Sequence, residues 1–169
     1  RHGIRDYEGL IRRSTEDVAW FWDAALKDLG VEWYEPYHTV VRGGLPWAEW
    51  FLGGKINLIH NTVDRHLPRL KDKTAFIWES DDGQSLNVTY GELARQTARV
   101  ANGLRAIGLG RGDRVGLYMP MTPEMVFAFL AILKIGAVIV PIFSGFGAGA
   151  LATRLKDPRA KVLLTPDGA

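Results

Sequence analysis

In STEDVAWFWDAALKDLG, the apolar residues Val18, Phe21, Trp22, Ala25, Leu26 and Leu29 fall on one helical face by the i, i+3, i+4, i+7 rule. The stretch predicts an amphipathic helix with Ser14 as N-cap and Gly30 at its exit. Periodicity then disappears from Trp33 to Gly54. WYEPYHTVVRGGLPWAEWFLGG is expected to be irregular, its aromatics pinning coil onto a larger body. A helix resumes in NLIHNTVDRHL and is expected to stop at Pro68.

TAFIWE and SLNVT flank DDGQ, where Asp82-Gly83 supplies positive-φ turn chemistry, so a β-hairpin is predicted. Thr89 and Glu92 make a capping box for the next helix, whose apolar stripe is Leu93, Val100, Leu104 and Ile107. Arg95, Arg99, Asn102 and Arg105 lie off the stripe, and Gly108 ends the helix.

Beyond GRGD the pattern becomes strand, helix, strand: RVGLYM, a helix opened by Thr122, Pro123 and Glu124, and AVIVPIF. That helix is apolar nearly all round and is expected to be covered on both sides. A second helical crossover, GAGALATRLKD, leads to a third strand, KVLLT. Short strand-to-strand crossovers through helices make parallel neighbours, so the C-terminal half reads as α/β. The continuous apolar tract Met125 to Phe143 approaches membrane-spanning length, but Lys134, Gly136 and Pro141 interrupt it; it reads as a buried helix followed by a buried strand.

Composition narrows the function classes. The chain of 169 residues is 47% hydrophobic and 24% charged, which fits a globular core and argues against disorder. A formal charge of +2, without an arginine stripe interleaved with aromatics, argues against nucleic acid as a partner. No cysteine is present, which removes disulfides, thiolate metal sites and a cysteine nucleophile, and fits a cytoplasmic protein. RHGIRDYEGL has no apolar core of signal-peptide type.

Several motifs compete for chemistry. GGKI at Gly53 lacks the Ser or Thr and the earlier Gly of a phosphate-binding loop, and IFSGF lacks the first Gly of a nucleophile elbow around Ser144. His60 and Asp64 share a helical face, but His66 is about two-thirds of a turn away from His60, so these residues read as a structural helix rather than a metal site. Asp64 and Arg65 read as a hydrogen-bonding corner. GFGAGA, Gly145 to Ala150, spells the G-x-G-x-x-A of a dinucleotide-binding turn, with Asp167 twenty-two residues after Gly145. Against NAD, the following helix has only about two turns and a complete βα unit precedes the turn; glycine also simply permits a sharp exit from a buried strand.

Longer strings bear on that choice. WFLGGKINLIHNTVDRHL, then TY, GDRV and YMP within AFIWESDDGQSLNVTYGELARQTARVANGLRAIGLGRGDRVGLYMPMTPEMVFAFLAILKIGAVIVPIFSGF, closely resemble the N-terminal part of the AMP-forming acyl-CoA synthetases, in the acetyl-CoA synthetase-like branch. The resemblance implies an N-terminal helical and aromatic-rich extension, residues 1–68, followed over 69–169 by the first part of a large adenylate-forming α/β domain. It implies an enzyme that converts a short-chain carboxylate, ATP and CoA to acyl-CoA, AMP and pyrophosphate, using Mg²⁺.

The resemblance carries few site residues. The family's phosphate loop, adenine contacts and adenylation lysine match no stretch of this sequence, so no catalytic residue and no metal ligand is assigned. What maps is the turn that lines the pantetheine tunnel of CoA. Here it is Ile142, Phe143, Ser144, Gly145 and Phe146, with Ser144 in place of a Gly; Phe143, Ser144 and Gly145 are the expected CoA-pantetheine wall. A chain of this length is expected to be an inactive fragment that binds no cofactor tightly. Its partners are then the remainder of its own chain and a small-molecule carboxylate, with neither nucleic acid nor membrane, and oligomerisation is left open. A dinucleotide (NAD)-binding oxidoreductase domain and a non-catalytic interaction module docking through Trp33 to Gly54 are the competing readings.

Overall fold

A computed structural model describes residues 2–44 and 46–167. The chain forms two compact units, the first ending at Ile56 and the second beginning at Asn57. This division falls before the expected boundary at 68, because the segment after Asn57 packs within the second unit.

In the first unit, two helices replace the single helix read from the pattern: α1, Tyr7–Glu16, and α2, Val18–Asp28. Ser14 is not a cap. It lies inside α1 with its hydroxyl on the Ile11 carbonyl, and the carboxylate of Asp17 accepts from the Trp20 amide to start α2. A carboxylate at the N-cap also meets the positive end of the helix dipole, so it suits the cap well. Gly30 closes α2 at φ 61°.

The segment expected to be irregular contains an antiparallel hairpin, β1 (Thr39–Arg42) and β2 (Glu49–Leu52), with Val41 opposite Trp50 and Arg42 opposite Glu49. Their apolar stretches are only two and three residues long, Val40-Val41 and Trp50-Phe51-Leu52, so no strand pattern registers in the sequence. Trp33, Tyr37 and Phe51 stack edge-on or tilted with centroids 5.0–5.7 Å apart. The Tyr37 hydroxyl donates to Asp23, which pushes its pKa up to about 12.

In the second unit, NLIHNTVDRHL does not run as one helix. It breaks into α3, Leu58–Thr62, a 3₁₀ turn at Asp64–His66, and α4, Leu67–Leu70. Pro68 stands in the first turn of α4, where its missing N–H costs nothing, so it starts a helix instead of ending one. The predicted hairpin is present as β3 (Thr74–Glu79) and β4 (Ser85–Thr89), with Gly83 at φ 83°.

Helix α5, Tyr90–Ala106, is capped by Thr89, whose hydroxyl accepts from the Glu92 amide. The Glu92 carboxylate does not complete the box; it turns to Arg95 and Gln96. The buried face of α5 is Leu93, Thr97, Ala101 and Leu104, whereas Ile107 lies past the last helical turn and is 64% exposed.

The remaining elements are β5 (Arg114–Leu117), α6 (Pro123–Lys134), β6 (Val138–Pro141), α7 (Ala148–Lys156) and β7 (Val162–Leu164). They form a parallel sheet in the order β6-β5-β7, which is the predicted α/β layer. From β5 the chain crosses to one side through α6, then returns past β5 through α7. Because such crossovers are right-handed, opposite directions place the two helices on opposite faces.

Side-chain alternation along β5 records this. Val115 is 0% exposed and packs with Ala101, Leu104, Ala131 and Ile132 of α5 and α6. Gly116 faces the other way, where a Cβ would lie 2.4 Å from Leu155 Cδ2 of α7 and 3.0 Å from Leu163 Cδ1. Helix α6 is covered on only part of its circumference: Phe127, Ala128, Ala131 and Ile132 are buried, but Phe129 is 38% exposed.

Charged groups fasten the N-terminal ends of β5 and β7. Asp113 accepts from the Gly110 amide at 2.9 Å and pairs with Lys161 at 2.5 Å, and Arg114 Nε donates to the Pro158 carbonyl. The Lys161 hydrogen bond, then the Gly110 amide, hold the Asp113 carboxyl below its ordinary value of 3.8.

Gly116→Val should lower unfolding free energy by about 1–3 kcal/mol in a urea titration, because α7 has no room for the added atoms. The lowered pKa of Asp113 means that its stabilisation is complete above the unfolded-state value and fades as pH falls through the folded one. Asp113→Asn should therefore melt below the parent at pH 7, with the gap closing progressively below about pH 4.

Candidate functional site

Open parallel sheets bind ligands beyond the carboxyl ends of their strands, where neighbouring crossovers leave in opposite directions. Here that point is the C-terminal end of β5. A cleft of about 550 Å³ opens there on the α6 side. Its floor is Leu117 and Pro141, the last residues of β5 and β6, and one wall is Met125, Val126 and Phe129 of α6. Met125 and Phe129 are one helical turn apart, so the apolar surface that α6 does not bury in the core lines this space. Met119 and Met121 follow β5, and Ile142, Phe143 and Ser144 follow β6. Ser144 brings the one polar side chain among these described lining residues.

The three expected wall residues are therefore neighbours here, but they present different surfaces. Phe143 and Ser144 line the cleft, and Phe143 is 70% exposed. Gly145 stands beneath the Phe143 ring, where a Cβ would be 2.5 Å from Cε1. Glycine at 145 lets the ring fold over the backbone, and a Cβ there would push the ring aside. The ring also meets Phe146 edge-on at 5.7 Å, and the Phe146 amide donates to the Phe143 carbonyl at 3.0 Å.

Two residues that sequence reasoning did not single out hold this turn. The Tyr118 hydroxyl is 2.7 Å from the Ser144 carbonyl and 3.0 Å from the Phe146 carbonyl. Arg154 of α7 lies 4.1 Å over the Phe146 ring and donates to the Ala150 carbonyl. The available signal was alternation: Tyr118 is two residues after Gly116 and so rises on the α7 face, towards the returning chain.

Strand order weighs against the dinucleotide reading of GFGAGA. In the NAD fingerprint the ribose-binding acid follows the strand adjacent to the glycine turn. Here Asp167 follows β7, and β5 lies between β7 and β6, so the two strands are about 9.5 Å apart, twice the usual spacing. The Phe143 ring also occupies the space over Gly145 that a pyrophosphate would approach.

The DRHL string is structural. Asp64 pairs with Lys134 at 2.6 Å, and His66 Nε2 is 3.1 Å from the Asn61 carbonyl, with its ring edge-on to Tyr90. Among the described residues no three His, Asp or Glu side chains converge as metal ligands, so none is assigned to Mg²⁺. No described helix is long and apolar enough to cross a membrane.

Comparison with known proteins decides the family. The model of the AMP-binding enzyme family matches residues 63–169, and that of the acetyl-coenzyme A synthetase N-terminus matches residues 7–62. This chain belongs to the AMP-binding enzyme family. Among the family's curated members, a 3-hydroxypropionyl-coenzyme A synthetase of Metallosphaera sedula is 47% identical over 98% of this chain and 25% of its own length. An acetyl-coenzyme A synthetase of Laribacter hongkongensis is 40% identical over 96% of this chain and 25% of its own length. The solved acetoacetyl-CoA synthetase from Streptomyces lividans superposes with a TM-score of 0.88 at 32% identity, covering 96% of this chain and 25% of that one. The chain thus spans about a quarter of the length of the family members that it matches.

Proposed function

We propose that this chain is the opening part of an AMP-forming short-chain acyl-CoA synthetase, and that its cleft forms one wall of the passage for the pantetheine arm of CoA. The complete protein would convert a small carboxylate, ATP and CoA to acyl-CoA, AMP and pyrophosphate, in the cytoplasm. The second unit would open its large α/β domain, and the first would extend it. The observation that carries this reading is the position of the turn 142–146 at the rim of an apolar cleft, beyond the carboxyl ends of β5 and β6.

The chemistry of the lining suits such an arm, which alternates methylene groups with amides. Phe143, Phe129 and the methionines offer apolar contact and exclude water; the thioethers adapt their shape to the ligand. The Ser144 hydroxyl can donate to an amide carbonyl or accept from an amide N–H. Burying an amide without such a partner would cost about 1–3 kcal/mol, so the hydroxyl sets where along the arm an amide can sit. On this reading the groups that activate the carboxylate and stabilise charge on the phosphates would come from the remainder of the protein. ATP and Mg²⁺ would be held by the remainder of the protein.

In the longer protein that would carry this chain, acetate or 3-hydroxypropionate should support sustained release of AMP and pyrophosphate only with CoA, whereas carboxylate-dependent ATP–pyrophosphate exchange should run without it. Ser144→Trp, which fills the rim of the cleft, should raise KM for CoA at least about tenfold while carboxylate-dependent ATP–pyrophosphate exchange stays within about twofold. CoA kinetics unaffected by the tryptophan would contradict the assignment of the wall.

A further inference from the structure

The chain leaving β6 must cross over the end of β5 to reach α7 on the opposite face. The sheet stops supporting it there: the last rungs are the Ile142 amide on the Leu117 carbonyl and the Tyr118 amide on the Leu164 carbonyl, both at 2.9 Å. Past Ile142, backbone carbonyls need partners from outside the ladder. Tyr118 is the residue directly below the crossing. Its single phenolic hydrogen is shared between two carbonyls of the crossing segment, Ser144 at 2.7 Å and Phe146 at 3.0 Å. Those carbonyls belong to the Ser144–Gly145 and Phe146–Gly147 peptides, so one hydroxyl fixes two peptide planes of the crossing, the first of them directly beside the residue over which Phe143 folds.

We propose that Tyr118 is a positioning residue for the CoA step, acting through the turn 143–146 without touching the ligand. This rests on the reading of that turn as the pantetheine wall. Tyr118 is half-buried on the α7 face of β5, while Leu117 beside it faces the cleft, so the phenol works from behind the wall. Arg154 completes the clamp from α7 by covering the Phe146 ring. The position of Phe143 and Ser144 is thereby tied to the sheet through β5 and not only through β6. Losing the hydroxyl leaves the ring and its packing in place but frees the two peptide planes to rotate. The first half-reaction does not involve this wall, so only the second should respond.

The test is Tyr118→Phe in the complete protein, read in two independent ways. Hydrogen exchange at the Phe146 amide should quicken by about three- to tenfold, the value of one hydrogen bond. KM for CoA should rise by about the same factor, with ATP–pyrophosphate exchange unchanged. Unaltered exchange at Phe146, or equal losses in both half-reactions, overturns the positioning role. Quickened exchange at Phe146 with an unaltered KM for CoA shows instead that the turn is held by Tyr118 but is not the CoA wall, which overturns the reading beneath the proposal.

Discussion

Strand β5 has to be narrow on one face and fully apolar on the other, and the second unit is organised by that requirement. Gly116 lets α7 approach until the Leu155 side chain fills the space of a missing Cβ, while Val115 on the reverse face is enclosed by α5 and α6. A larger residue at 116 would lift α7 from the sheet; a polar one at 115 would be buried without a partner. The strand is also hydrogen-bonded on both edges, to β6 and β7, so it has no exposed ladder.

The site follows from the same geometry. Because the chain leaves central β5 towards β6 through α6 and then returns past it once through α7 on the opposite face, two connections diverge at its carboxyl end and leave a gap. That gap is lined by what the helices and strand ends do not bury against each other: Phe129 and Met125 from α6, Phe143 and Ser144 from the turn. Glycine at 145 serves the fold of Phe143 over the backbone, not the approach of a phosphate. Membership of the AMP-binding enzyme family, at 32–47% identity to CoA synthetases over nearly the whole chain, gives this gap a chemical context.

Much of the second unit was legible because its elements are long or strongly patterned. Helix α5 shows a stripe, α6 is bounded by Thr122-Pro123 and Gly136, and the β3–β4 hairpin carries Asp82-Gly83. The first unit was less legible. Asp17 takes the cap that Ser14 also offered, since both residues are good caps and only the backbone path separates them. The four-residue strands β1 and β2 are held by aromatic packing between residues far apart in sequence, which no local period reveals. At the site, the glycine turn was visible as a motif, but its meaning depended on strand order β6-β5-β7, a non-local fact. Tyr118 was hidden in a family string because its role is a contact across 26 residues. Asp113, in the GDRV string, proved to be a loop and strand fastener through Gly110 and Lys161.

Strand β5, paired on both edges and enclosed on both faces, is the most protected element and the anchor of everything around the cleft. Native-state hydrogen exchange measures this directly, residue by residue. The amides of Val115, Gly116 and Leu117 should exchange only through global opening, with the highest protection in the chain. If they instead exchanged as readily as the amides of the β3–β4 hairpin, β5 would not be the central strand described here, and the cleft built on its end would lose its foundation.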